Sequence, residues 1–467
     1  MRRSRFTDDE TSRLFLFTRG SWLPTLAIIL CLNVPCLSQE PPGQQDDVYD
    51  KVRSLVNQEY DSLFGLYRHL HSNPELSFQE VKTAARVKQE LESTGFQVTG
   101  NVGGHGVVGV LKNGPGRTLM LRTDMDALPV VEETGLEYAS RVRVTDVHGK
   151  VVGVMHACGH DIHMTCVTGT ARLLSQMMSH WQGTLVVIGQ PAEERGGGAL
   201  AMLADGLFLR FPRPDYALAM HDDAGMEAGK VGLAAGYALA GVDSVDLTIR
   251  GVGGHGAYPY TTRDPIVLAA QTILALQTIV SRELRAVDPA VITVGSIHGG
   301  TKHNIIPEEV KLEITVRYYS DAVRTHIHES IERIARGIAT AGGVPEDRAP
   351  IMKVSKTEPV FPVHNHPELS HRVFDAMEKI LGTDHVLELD PVMWGEDFGY
   401  YGRTEHKIPL CMFWVGAVSP QRMAESRTEG GKPLPSLHSS MFAPDPEPTI
   451  KTGVKAMTSA ALELLQP

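Results

Sequence analysis

The chain has 467 residues, 42% of them hydrophobic and 21% charged, with 55 acidic against 44 basic side chains. That length suggests two or three domains, and the apolar fraction excludes disordered and fibrous classes. A formal net charge of −11, with no compact basic patch, gives the chain no electrostatic reason to bind nucleic acid.

In chain order, Arg2, Arg3, Arg5, Arg13 and Arg19 precede an apolar stretch around Leu26–Leu32, and small Ser38 stands at a candidate cleavage point. This reads as a secretory signal over residues 1–38 and a secreted or periplasmic protein. The apolar run falls short of the roughly 20 residues a membrane span needs, so no stable span is expected in the mature chain. An uncleaved anchor is the alternative, because Asp8, Asp9 and Glu10 interrupt the basic region. Cys31 and Cys36 would leave with the signal. The remaining Cys158, Cys166 and Cys411 are too few and odd in number for a disulfide framework.

Residues 39–48 are polar and Pro-bearing and read as a linker. Helical spacing runs from Tyr49 to Leu70. Short β-rich runs at Val107–Leu111, Thr118–Arg122 and Thr184–Gly189 then alternate with helical stretches such as Thr165–Met178. The pattern predicts an α/β domain with a mostly parallel sheet and helices on both faces.

The middle differs. Asp243–Arg250 alternates with Val245, Leu247 and Ile249 on one face. A helix follows, with Asp264 as N-cap and Pro265 at its first position, to about Leu284. Strands near Val291–Ile297 and Val310–Tyr318, a helix from Asp321 to Ala341, and a strand near Ile351–Ser355 complete a βαββαβ order. That order suits an inserted ferredoxin-like module. The expected division is a catalytic domain built from two stretches, 49–236 and 349–467, with the insertion at 237–348 between them.

The densest chemistry is Met155-His-Ala-Cys-Gly-His-Asp-Ile-His163. Cys158 and His160, two apart in loop or extended backbone, can reach one point, and thiolate with imidazole suits zinc-like cations. Glu193 and Glu194 follow the strand run Thr184–Gly189, where α/β sheets hold ligands. If the backbone there is extended, one carboxylate binds metal while the other faces substrate. His221 closes the run Tyr216–Met220, Asp124 and Asp126 follow Thr118–Arg122, and His438 lies in a Pro-rich loop. Together Cys158, His160, Glu194, His221 and His438 suffice for two divalent ions. Zinc is favoured by softness; manganese, cobalt and nickel also suit mixed shells. Such a pair activates water for hydrolysis, and Glu193 would carry its proton to the leaving amine.

His156-Ala-Cys-Gly-His-Asp161, Gln190-Pro-Ala-Glu-Glu194, Arg122-Thr-Asp-Met-Asp-Ala-Leu-Pro129 and Gly253-Gly-His-Gly-Ala257 resemble motifs of the M20 metallopeptidase family. The closest resemblance is to its amidohydrolase branch: hippurate hydrolases, N-acyl-amino-acid deacylases and indole-acetyl-amino-acid hydrolases. It spans about Tyr67 to Leu465. It implies a di-metal catalytic domain with an inserted lid or dimerisation domain, and a homodimer through that lid. By position it makes Cys158 a bridging ligand, Glu193 the acid–base and Asp126 an acid that orients a ligand. His255 and Asn304 match residues that reach the substrate, in some relatives from the partner subunit. Glu396, in Gly395-Glu-Asp-Phe398, matches a segment beside the substrate pocket.

The chain departs from the usual pattern at Tyr260, Ile162, Arg195, Trp394 and a longer Arg141–Val152 segment, positions expected to line or flank the pocket. The expected activity is cleavage of an N-acyl amino acid, a small-molecule substrate, to a carboxylic acid and a free amino acid. Dipeptide hydrolysis and a silent metal-containing binding protein are the alternatives.

Overall fold

The computed structural model describes residues 42–146, 149–355 and 360–466, so the signal segment lies outside the described residues. The supposed linker is shorter than expected, because the first helix, Pro42–Ser72, already includes residues 42–48. Val48, Tyr49 and Val52 continue one stripe onto the core, and a proline is tolerated in a first helical turn.

Four parallel strands form the centre of the large sheet: β1 (Thr118–Asp124), β2 (Gly183–Gln190), β3 (Tyr216–Glu227) and β4 (Leu410–Val418). Their order is β2-β1-β3-β4. Antiparallel pairings close both flanks, with Gly106–Asn113 on one side and Gly236–Leu239 on the other. Alternation along β1 explains the layers: Leu119 and Leu121 join the core cluster of Leu63 and Ile450, while Met120 faces that of Met202 and Tyr401. The sheet is thus buried on both faces, and its strands are correspondingly apolar.

The insertion is a four-stranded antiparallel sheet in the order Ala290–Gly299, Glu309–Tyr318, Gly241–Arg250, Ile351–Val354. Helices Pro265–Thr278 and Asp321–Ala341 pack on it through Leu268, Leu276, Ile327 and Ile331. The Asp264 side chain accepts the Ile266 N–H at 2.9 Å, the cap expected beside Pro265. The 237–348 boundaries need correction at both ends. Gly236–Leu239 pairs with Val363–Asn365 in the large sheet, and Ile351–Val354 pairs with Gly241–Arg250 in the small one.

Candidate metal centre

The cluster sits at the carboxyl ends of the parallel strands, where the loops leaving each strand converge. The helix after the Cys–His motif starts at His160, five residues before the expected Thr165, so Cys158 is in the loop and His160 in the first turn. Gly159 makes that start: its φ is +76°, and a Cβ there would lie 2.3 Å from the Asp222 carboxylate. Past β2, Ala192 turns the chain at φ 50°, and Glu193–Arg195 form a tight helical turn instead of extended backbone. The two glutamates therefore do not point opposite ways. Glu193 Oε2 and Glu194 Oε1 lie 3.8 and 3.9 Å from His160 Nε2.

His221 Nε2 and His438 Nε2 stand 3.5 and 3.3 Å from Cys158 Sγ, and His438 Nε2 is 3.6 Å from Glu194 Oε1. Ligands about 2.0–2.3 Å from a tetrahedral ion lie roughly 3.3–3.8 Å apart, so these spacings fit a shared cation. The tautomers fit too. His160 Nδ1 is 2.8 Å from the Asp126 carbonyl and His221 Nδ1 is 2.7 Å from the Asp222 carbonyl, leaving both Nε2 atoms facing the cluster. Buried His160 Nε2 and Glu194 Oε1 have no hydrogen-bond partner among the described residues, as expected of donors reserved for an ion.

Charge supports the same reading. Burial pushes Glu193 well above the usual carboxylate range, helped by Glu396 and Glu194, and pushes Glu194 up to about 7. Burial likewise raises the Cys158 thiol, with Glu194 adding to it. So much buried acid calls for divalent positive charge.

Supporting residues surround the donors. Asp126 does more than orient His160: its carboxylate accepts the Glu193 and Glu194 N–H groups, each at 3.1 Å, and the Ser77 hydroxyl. Buried His163 bridges Asp124 at 2.8 Å and Asp222 at 3.0 Å. Burial opposes its protonation, but the two carboxylates outweigh that and lift it to about 9. His71 does the same for Asp161 and Glu132 from the first helix. Sequence reasoning left Asp124, Asp222 and His163 without roles, although Asp222 adjoins His221, His163 is three residues past His160, and Asp124 is two residues before Asp126.

Glu396 is a correction. It is buried and clamps Arg122 through both carboxylate oxygens, at 2.8 and 3.2 Å, while accepting the Phe398 N–H, so it does not face substrate. Arg122, fully buried, also holds Asp124 and Asp397. Its strand position next to polar Thr123 gave no hint of a partner 274 residues away.

A cavity of about 780 Å³ opens on Cys158, Glu193, Glu194, His221 and His438. Of the unusual residues, Arg195 and Trp394 line it; Ile162 is instead in the core, and Tyr260 is exposed on the insertion. His255 and Asn304 are brought together on the insertion, where the Gly256 N–H bonds the Asn304 carbonyl, but neither lines this cavity.

Comparison with known proteins agrees with this geometry. The sequence model of peptidase family M20/M25/M40 matches residues 120–431. A thermostable carboxypeptidase 2 from Saccharolobus solfataricus is 33% identical over 422 residues, covering 89% of this chain and 99% of its own. An N-acetyldiaminopimelate deacetylase from Limosilactobacillus reuteri is 36% identical over 411 residues, covering 85% and 97%. A solved dinuclear metal-binding peptidase of the M20 family from Bacillus subtilis superposes with a TM-score of 0.70 at 28% identity, covering 88% and 99%. The chain belongs to peptidase family M20/M25/M40 and is a metal-dependent hydrolase of amide bonds.

Proposed function

We propose that the enzyme removes the acyl group from N-acyl amino acids, with Cys158, His160, Glu194, His221 and His438 holding two divalent ions. Arg317 carries this reading. It lines the cavity from the insertion strand Glu309–Tyr318, and its half-buried guanidinium has no hydrogen-bonding or ion-pair partner among the described residues. A partly desolvated, unpaired guanidinium beside a hydrolytic centre is matched to a substrate carboxylate. When bound, the ions lower the pKa of a water and polarise the amide carbonyl. Glu193 accepts the water's proton and delivers it to the leaving amine, while Asp126 holds the turn that carries Glu193.

The panel that tests this pairs N-acyl amino acids with N-acyl amines lacking the carboxylate. Removing the carboxylate is expected to raise KM about 10- to 100-fold, as is Arg317→Met on the full substrate. Equal KM for both classes would remove Arg317 from recognition. Dipeptide cleavage is the second reading, favoured by Asp223, a cavity-wall carboxylate suited to a free amino group. Dipeptides turned over faster than acyl amino acids would establish it.

The substrate roles of His255 and Asn304 require a second copy, because neither reaches the cavity of its own chain. A homodimer through the insertion would supply them. Its helix exposes Ile266, Val267 and Leu274, an apolar face that a monomer leaves wet. Mixing Glu193→Gln with His255→Ala chains is expected to restore about a quarter of wild-type activity, since half the dimers are mixed and each has one complete site. No recovery on mixing would confine catalysis to single chains. Export from the cytoplasm, carried by the arginine-flanked apolar stretch before Ser38, is part of the same reading. Recovery of the enzyme only from the cytoplasm would refute it.

A further inference from the structure

The cavity is larger than the bond-breaking step needs. An N-acetyl amino acid of about ten heavy atoms, at roughly 30 Å³ for each water-sized unit, fills about 300 Å³. The cavity offers about 780 Å³. More than half of it is therefore left for something else.

One wall of the cavity is largely apolar. Leu434, Pro435 and Leu437 come from the loop that ends at His438, with Met393 and Trp394 from the loop ahead of Gly395. Trp394 is 42% exposed, a large apolar surface facing water inside a binding cavity. Leu437 is backed by the buried cluster of Met155, Ala157, Ala224 and Phe442, so this wall is packed in place before substrate arrives. With the carboxylate at Arg317 on the insertion and the scissile carbonyl at the metal donors, the acyl group continues along the loop leading into His438.

We infer that the acyl group is a fatty chain of about eight to fourteen carbons, lying along Leu434–Leu437 and covered by Trp394. The inference rests on the N-acyl amino acid reading above. The wall favours an alkyl chain over a compact ring. Leu434, Pro435, Leu437 and Met393 with the Trp394 indole outnumber the one polar side chain of that segment, Ser436, and the spare volume equals roughly sixteen water-sized units.

The test compares kcat/KM for the N-acetyl, N-butanoyl, N-octanoyl, N-dodecanoyl and N-phenylacetyl derivatives of one amino acid, below their aggregation concentrations. Each buried methylene is worth about fourfold, so with three of the six added methylenes buried, octanoyl should exceed acetyl by about sixtyfold. Leu434→Ser and Trp394→Ala should each lower the octanoyl-to-acetyl ratio by about fivefold or more. The ratio is measured within one preparation and so is insensitive to partial misfolding. Acetyl matching octanoyl, or phenylacetyl exceeding both long chains, would overturn the fatty-acyl assignment and leave the amidohydrolase reading standing. No release from any of the five derivatives while dipeptides are cleaved would overturn both.

Discussion

Glu193→Gln is expected to lower kcat by about 10³-fold or more while metal content stays near that of the wild type. Glutamine fills the same space and keeps the backbone N–H bond to Asp126, so the turn at Glu193–Arg195 should persist. What is lost is the proton acceptor. Glu193 lines the cavity, and its carboxylate is about one-tenth exposed, which lets a substrate water reach it. Its oxygens also lie near His160, so geometry by itself permits a ligand role. The distinction comes from metal analysis of Glu193→Gln beside Glu194→Gln. The first should retain metal and the second should lose it. Metal loss in Glu193→Gln would exchange the two roles.

His221→Ala is expected to abolish detectable turnover and to release metal. The side chain lies within β3, where Trp414 of β4 is its parallel neighbour, and its Nδ1 is fixed by the Asp222 carbonyl. The Nε2 therefore has one direction available, toward Cys158. Alanine leaves the thiol and Glu194 facing each other without that donor, and structural zinc sites rarely tolerate the loss of one ligand. The fold should survive, because the strand's apolar neighbours Leu218 and Met220 remain packed. Circular dichroism separates the two effects: an unchanged spectrum with metal lost supports the ligand role, whereas retained metal would contradict it.

Much of the fold was legible because its signals are local. Apolar β-rich runs marked β1 and β2, alternation marked the insertion strand at Asp243–Arg250, and Asp264-Pro265 marked a helix start that the structure places at Pro265. The five candidate donors were legible because metal chemistry restricts residue type and their segments all end strands or loops, and the structure brings them together. The remainder depends on long-range contacts. The start of the His160 helix turned on one glycine in a left-handed conformation, and its polar first turn carries no amphipathic pattern. Arg122 finds Glu396 and Asp397 across the fold, so a motif that looked substrate-facing proved to be a buried clamp. Arg317, near the end of an insertion strand, carried no sequence signal of its own, and only the cavity shows its side chain unpaired.

The ion count per chain is the most direct check on the paired centre. Protein stripped of metal, dialysed against excess zinc or manganese and freed of loose ions is measured by inductively coupled plasma mass spectrometry, alongside Cys158→Ser. The wild type should retain about two ions per chain, and the variant, lacking the thiol between His221 and His438, clearly fewer. One ion or none in an active wild-type enzyme, or an undiminished count in the variant, would contradict a centre built around Cys158.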